Sequence, residues 1–218
     1  MKRTIIACAM LEDEINHVYQ SLNCDLPIVW LERGYHNTPE LLRKKIQETV
    51  NELQDQDELL LCFGLCGNGT AGITSAKSRL ILPRFDDCLN MLLCDGSRSC
   101  RGLVQTGTMY LTNGWTKDSE SFLQQYDKLL EEYDEETRDD IIEMMYAHYS
   151  SVTVIDTGCY PMEGVMDYAR KTSHLLELDL KTAPGYTIML EKLFSGDCDE
   201  NFIIVEPGDT ITEECFEI

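Results

Sequence analysis

Basic side chains are scarce in this chain. Its 218 residues carry 18 Lys and Arg against 39 Asp and Glu, a formal charge of −21. Nucleic acids and anionic lipids are held by neutralising phosphates with Lys and Arg, so this balance argues against both as partners. Long apolar runs are missing as well. Nothing approaches the roughly 20 consecutive apolar residues that a spanning helix requires, and no membrane partner is expected. Residues 1–11 have a basic head and an apolar patch, but they run straight into Glu12-Asp13-Glu14 with no small-residue cleavage region. Residues 5–10 therefore read as a first buried strand, and the expected compartment is the cytoplasm. Histidines number only 4, and no Ser-His-Asp set with an interpretable spacing is found among them. CxxC pairs are absent, which removes a zinc ribbon, a thioredoxin motif and a ferredoxin-type run. There is no GKS or GKT for a P-loop, no DxHxxG cobalamin signature, no internal repeat and no linker rich in Gly, Ser or Pro.

What remains is an ordinary globular composition, 43% hydrophobic, with 10 cysteines. A secreted disulfide framework would need an export signal and is usual in shorter chains, so the choice lies between buried small hydrophobes and metal or redox thiols. Cys8 and Cys62 fall in strand-like runs and read as core. Cys24, Cys198 and Cys215 stand in polar surroundings with no partner spacing. Residues 4–10, 28–31, 58–63, 79–82, 107–112, 151–155, 175–180 and 202–205 read as strands. Between them come helical patterns at 12–22, 39–53, 86–93, 163–174 and 184–194, and a pair within 118–149. Thr38-Pro39-Glu40 is a strong helix start, with a hydroxyl cap, a proline at the first position and an acid near the positive dipole end. Alternation of strand and helix predicts a parallel sheet. The expected fold is α/β, three-layer α/β/α with a mostly parallel, Rossmann-like sheet. Residues 1–218 are taken as a single α/β domain. The helical pair at 118–149 is either an insertion over the sheet or a join between two lobes split near 113–150.

Residues 59–63 form a nearly unbroken apolar run, as in a strand covered on both faces. It opens into Gly64-Leu65-Cys66-Gly67-Asn68-Gly69-Thr70. In open α/β sheets ligands bind at the carboxyl ends of strands, so this loop is the first candidate site, with Gly67, Asn68 and Gly69 as backbone contacts in an anion-binding nest. A tight turn that only joins elements fits the same residues. The next strand ends in Pro83-Arg84-Phe85-Asp86-Asp87-Cys88. Cys66, Asp86, Asp87 and Cys88 then offer thiolate and carboxylate ligands to a divalent metal, zinc or iron, although Asp86-Asp87 also suit a helix start and Cys88 suits a core. Asp156-Thr157-Gly158-Cys159 adds polar strand-end residues and a further thiol, Cys159. Tyr110 and Trp115 either wall a pocket for a flat ligand or fill a core.

The segments LCFGLCGNG, LPRFDDCLNMLL, GTMYLTNGW and SGDCDENFIIVEPGDTI, in this order over about residues 59–210, resemble a prokaryotic family filed as a domain of unknown function. That family is frequent in anaerobic bacteria and methanogenic archaea and is often encoded near corrinoid-dependent methyltransferases. Its pattern usually has His at the position of Asp86 and Pro at the position of Asn113, so a metal set using that His must here use Asp86 or take its ligand elsewhere. The resemblance implies an α/β fold and a one-carbon setting, with a corrinoid as cofactor and a corrinoid protein or methyltransferase as partner. The expected function is binding of a metal or metal-containing cofactor at a Cys/Asp loop site. The alternative is a non-catalytic or regulatory partner of a methyltransferase with no metal of its own.

Overall fold

The computed structural model describes residues 1–97, 100 and 102–217. The chain forms two compact units, one of Met1–Leu103 with Tyr186–Ile218 and one of Val104–Gly185. The first unit begins β1 (Arg3–Cys8), α1 (Glu12–Ser21), β2 (Ile28–Leu31), α2 (Pro39–Glu52), β3 (Glu58–Cys62), β4 (Arg79–Pro83), α3 (Cys88–Leu93). The second holds β5 (Thr108–Leu111), α4 (Asn113–Thr116), α5 (Phe122–Glu132), α6 (Glu135–Tyr146), β6 (Ser151–Asp156), α7 (Met162–Leu175) and β7 (Asp179–Pro184). The chain then returns to the first unit with α8 (Ile188–Ser195) and β8 (Phe202–Val205). The fold is α/β and its sheets are mostly parallel and Rossmann-like.

In the first unit the strand order is β2-β1-β3-β4-β8. The first four strands are parallel and β8 runs antiparallel along β4. One face of the sheet presents Ile5, Ala7, Leu60, Cys62 and Ile81, packed with Ile15 and Val18 of α1 and Met189, Leu190 and Leu193 of α8. The alternate residues Ile6, Leu59, Leu61, Leu80 and Leu82 are equally buried. α2 buries a stripe of its own, Leu42, Ile46 and Val50, at helical spacing. Burial on both faces is why β3 reads as continuous Leu rather than as an alternation. At the amino-terminal ends of β3 and β4, Glu58 is buried between Arg3 at 3.2 Å and Arg79 at 3.3 Å, which compensates a carboxylate that could not otherwise be taken out of water. α2 starts at Pro39 as the sequence implies, but the Thr38 hydroxyl makes no capping bond.

The second unit has a parallel sheet in the order β5-β6-β7. Its central strand β6 is buried along Ser151–Ile155, and Val152 and Val154 pack with Leu111, Val165 and Ala169. α5 and α6 form the connection from β5 to β6, the helical insertion expected at 118–149. Phe122 ties them together, with its ring 5.1 Å from Tyr146 in a T-shaped contact. The strand expected at 175–180 lies instead at Asp179–Pro184. The apolar Leu175, Leu176 and Leu178 belong to the end of α7 and its turn. The true strand, DLKTAP, is polar because it is an edge strand that is half solvated, and its proline falls at the last position, where a lost donor costs least. Likewise the helix expected from 184 begins at Ile188.

Candidate functional site

The strand order sets where a ligand fits in the first unit. The chain leaves β1 for β2 on one side and comes back to β3 on the other, so the connections diverge between β1 and β3. That divergence is the switch point at which α/β sheets open a crevice outside the carboxyl ends of their strands. Cys8 is the last residue of β1, and the loop 64–70 leaves β3 beside it.

Two loops are laced together there. Leu65 N–H donates to the Phe85 carbonyl and Cys66 N–H to the Asp86 carbonyl, both at 2.8 Å, so the turn after β3 runs against the turn after β4. Gly64 makes this approach feasible: a Cβ on it would stand 2.6 Å from the Phe85 oxygen and 2.9 Å from the Asp87 Cα. Cys66, Gly67 and Asn68 then adopt positive φ in succession, +49°, +62° and +71°. For Cys66 this left-handed conformation costs about 1–2 kcal/mol, and it persists because the surrounding bonds fix it. The Arg43 guanidinium donates to the Asn68 carbonyl at 2.8 Å, the Asn68 amide to Glu213 at 2.8 Å, and the Thr70 hydroxyl to the Gly64 carbonyl at 3.0 Å.

Three thiols meet at this crevice. Cys66 and Cys88, the first residue of α3, lie within electrostatic reach of each other, and Cys8 acts on both of them. Burial pushes the Cys66 thiol up to about 12, the Cys8 sulfur adds to that, and the Gly64 and Cys88 amides offset part of it. Burial also holds Cys88 well above the usual thiol range, helped by Cys66, Cys8, Asp87 and the buried Glu14. Cys62 is raised by burial and by Cys8. Burial is thus the main reason that Cys62, Cys66 and Cys88 hold their protons, and the neighbouring sulfurs act in the same direction.

The remaining expected ligands are placed differently. Asp87 caps α3, its carboxylate accepting from the Asn90 backbone at 2.7 Å and side chain at 3.1 Å. Asp86 is exposed and lines a water-sized hollow of about 20 Å³ with Arg84 and Asn90. Leu65, Cys66, Gly69 and Thr70 spend their amides on carbonyls of this same region, so the loop around Gly67, Asn68 and Gly69 offers fewer donors than an open nest would. Tyr110, Trp115, Asp156, Thr157, Gly158 and Cys159 belong to the second unit. There Tyr110 is buried in β5 with its hydroxyl accepting from the Gln105 amide at 3.2 Å. Trp115 and Cys159 pack against the core of that unit. Asp156 is exposed, closing a small turn by accepting from the Gly158 amide at 3.0 Å.

Sequence reasoning passed over two features. Cys8 reads as strand core from its apolar neighbours, yet its place at the carboxyl end of β1 puts it in the thiol group. Gly67-Asn68-Gly69-Thr70-Ala71-Gly72 also has the G-x-G-x-x-G spacing of a dinucleotide loop. The structure shows that it is not one. Residues 63–78 pass from β3 to β4 through turns, bends and a single bridge from Thr74 to Thr210, without the helix whose amino end would receive a phosphate. A disulfide joins Cys94 and Cys100, and the other eight cysteines form no disulfide.

Among the described residues no group of three or more His, Cys, Asp or Glu side chains is arranged to hold a metal ion, and no helix is long and apolar enough to cross a membrane. Residues 30–194 match the family described as protein of unknown function (DUF1638). No curated protein and no solved structure matches the chain.

Proposed function

The chain belongs to the DUF1638 family, and from that premise we propose that it binds a thiophilic metal ion, or a cofactor that carries one, through Cys66 and Cys88, with Cys8 beside them. The observation that carries this reading is geometric: Cys8 ends β1, Cys66 lies in the loop after β3 and Cys88 opens α3, and the Cys66 N–H bond to the Asp86 carbonyl draws the last two turns together at the switch point of the first unit. Buried thiols that act on one another's charge do not ionise together in an apo protein. A divalent cation reverses that logic, displacing their protons and taking their charge. Thiolates favour zinc, iron and similar soft or borderline ions over magnesium or calcium. Two things support a ligating role over a packing role. Cys66 lies in the loop beyond the end of β3 rather than within the strand, and it is held at positive φ, a conformation that a glycine would occupy without strain. Asp87 is committed to its helix cap and Asp86 faces outward, so neither is assigned as a ligand.

Two protein thiolates leave coordination positions for a bound molecule. In this reading the setting is the cytoplasm, the metal-bearing cofactor is a corrinoid, and the partner is a corrinoid protein or its methyltransferase. Its support is the family resemblance together with the affinity of thiolates for soft metal centres. The test is metal analysis of protein purified without oxygen, followed by titration with cobalt(II). About one metal per chain and a thiolate-to-metal charge-transfer band are expected. Both are lost in the Cys66→Ser, Cys88→Ser double variant and kept in Cys198→Ser, whose thiol lies near Arg3 and Glu58 at the other end of the strands. Metal content that is the same in the double variant, or a titration with no charge-transfer band, removes the metal reading and leaves a metal-free partner role.

A further inference from the structure

The second unit contains a cavity that has no part in the thiol site. Its volume is about 560 Å³, within the range of small-molecule pockets. α6 supplies most of one wall. Asp139, Ile142, Glu143 and Tyr146 recur at helical spacing, so they form a single stripe, and that stripe faces the hollow. No residue of α6 is fully buried, although the helix carries an aromatic and apolar side. Tyr126 of α5 and Tyr149 complete the ring wall, and Glu177 stands on the turn after α7. Among the described residues the lining holds three carboxylates, Asp139, Glu143 and Glu177, and no Lys or Arg.

Aromatic faces and carboxylates share one preference. The face of a phenol ring is the negative side of its quadrupole and attracts a cation, most strongly where water is thinned. Carboxylates add a net charge of the same sign. The unit already uses this chemistry once: the Arg138 guanidinium lies over the Tyr126 ring, 5.7 Å from its centre, and donates to Asp139 at 2.6 Å and 2.8 Å. Tyr146 and Tyr149 are set at 42° to each other with centres 5.9 Å apart, so their faces are not stacked away against one another. Burial, with Tyr149 and Tyr168 nearby, raises the Tyr146 hydroxyl, which therefore stays neutral.

We propose that this cavity is a binding site for a small organic ammonium ion, held over the rings of Tyr146 and Tyr149 and balanced by Glu143 and Glu177. A quaternary or fully substituted ammonium suits it best. Such an ion spreads its charge over methyl surface that rings can cover, and it requires no hydrogen-bond acceptor at fixed geometry. Arg138 acts as a resident competitor that occupies Tyr126 and Asp139 and narrows the site to the remaining rings.

The experiment is calorimetric titration of the full chain with choline and, in parallel, with 3,3-dimethylbutan-1-ol, its neutral isostere with carbon in place of nitrogen. Choline is expected to bind saturably and at least about tenfold more tightly than the isostere, since only the cation gains from the ring faces. Added salt weakens choline and leaves the isostere unchanged. Tyr146→Leu and Glu143→Gln each weaken choline, whereas Arg138→Gln tightens it by freeing a ring and a carboxylate, an effect that general loosening of the unit would not produce. If Tyr146→Leu fails to fold, Tyr149→Leu takes its place, because that ring is more exposed and supports less of the core. Equal affinity for choline and the isostere overturns the proposal, as does no binding of choline, or choline binding indifferent to both the tyrosine and the glutamate changes.

Discussion

Cys66 carries two costs at once, a left-handed backbone and a thiol that burial prevents from ionising. The second has a measurable sign. In the unfolded chain a thiol ionises near pH 8.5; in the folded protein Cys66 holds its proton up to about 12, and Cys88 is likewise raised. Above the unfolded value the unfolded chain therefore binds fewer protons, and folding stability falls as pH rises. A thiol held like Cys66 removes about 1.4 kcal/mol per pH unit between about pH 9 and 11, and Cys88 adds a loss of the same sign. Urea unfolding of the metal-free protein across that window is expected to show a smaller alkaline slope in the Cys66→Ser, Cys88→Ser variant. Equal slopes would mean that the two thiols are not shielded as described. That Cys66 lies in the turn after β3 and Cys88 just past the turn after β4 was legible, because strand-like runs end shortly before each of them. The place of Cys8 was not, because a cysteine at the end of an apolar run looks the same whether it packs or faces a crevice. The carboxylates were ambiguous for a related reason: Asp-Asp before a helix serves capping and ligation equally well in a sequence, and the bond from Asn90 to Asp87 is what shows the cap.

At the scale of elements, the crevice exists because two loops lie side by side, and Gly64 is the position that lets them. Alanine there would press a methyl group into the backbone at 85–87, which has little freedom to retreat. Overpacking of that kind costs about 1–3 kcal/mol, so Gly64→Ala should lower the urea midpoint by that equivalent. Gly34→Ala, with open space around its Cβ, should change stability by no more than about 0.5 kcal/mol. A Gly64→Ala protein as stable as the native one would show that the loops part easily. Of the strands buried on both faces, β3 announced itself as an apolar run, and β6 as a β-branched stretch of Val, Thr and Ile. The edge strand β7 did not, since water on its outer side lets Lys181 and Thr182 stand where a central strand would need apolar residues. Helices α5 and α6 were visible from their periodicity, yet the carboxylates lining their cavity look like any solvated helix face until the fold shows what they surround.

On the scale of the whole molecule the chain is interrupted rather than doubled: the second unit is inserted between α3 and α8 of the first. Both ends of the interruption are tied to α3. Leu103 N–H donates to the Asn90 side chain at 3.0 Å and Tyr186 N–H to the Leu92 carbonyl at 2.7 Å. Replacing residues 104–185 by a short Gly/Ser bridge is therefore expected to leave a first unit that unfolds in one cooperative transition and still takes up metal. An unfolded product would show that the first core depends on the second. The surplus of 21 negative charges favours solubility and repels polyanions, but it does not choose between the proposed ligands.

The placement of β8 has a consequence during synthesis. Its partner β4, and β1 with Cys8, leave the ribosome long before Phe202–Val205 is made; about 200 residues of translation separate β1 from β8, or about 10–40 s at ordinary elongation rates. The second unit is complete in sequence before the first, which must wait with its sheet unfinished and its thiols uncovered. Nascent chains are thus at their most vulnerable to stray oxidants in that interval, and cells starved of reductant should lose this protein at birth rather than in old age.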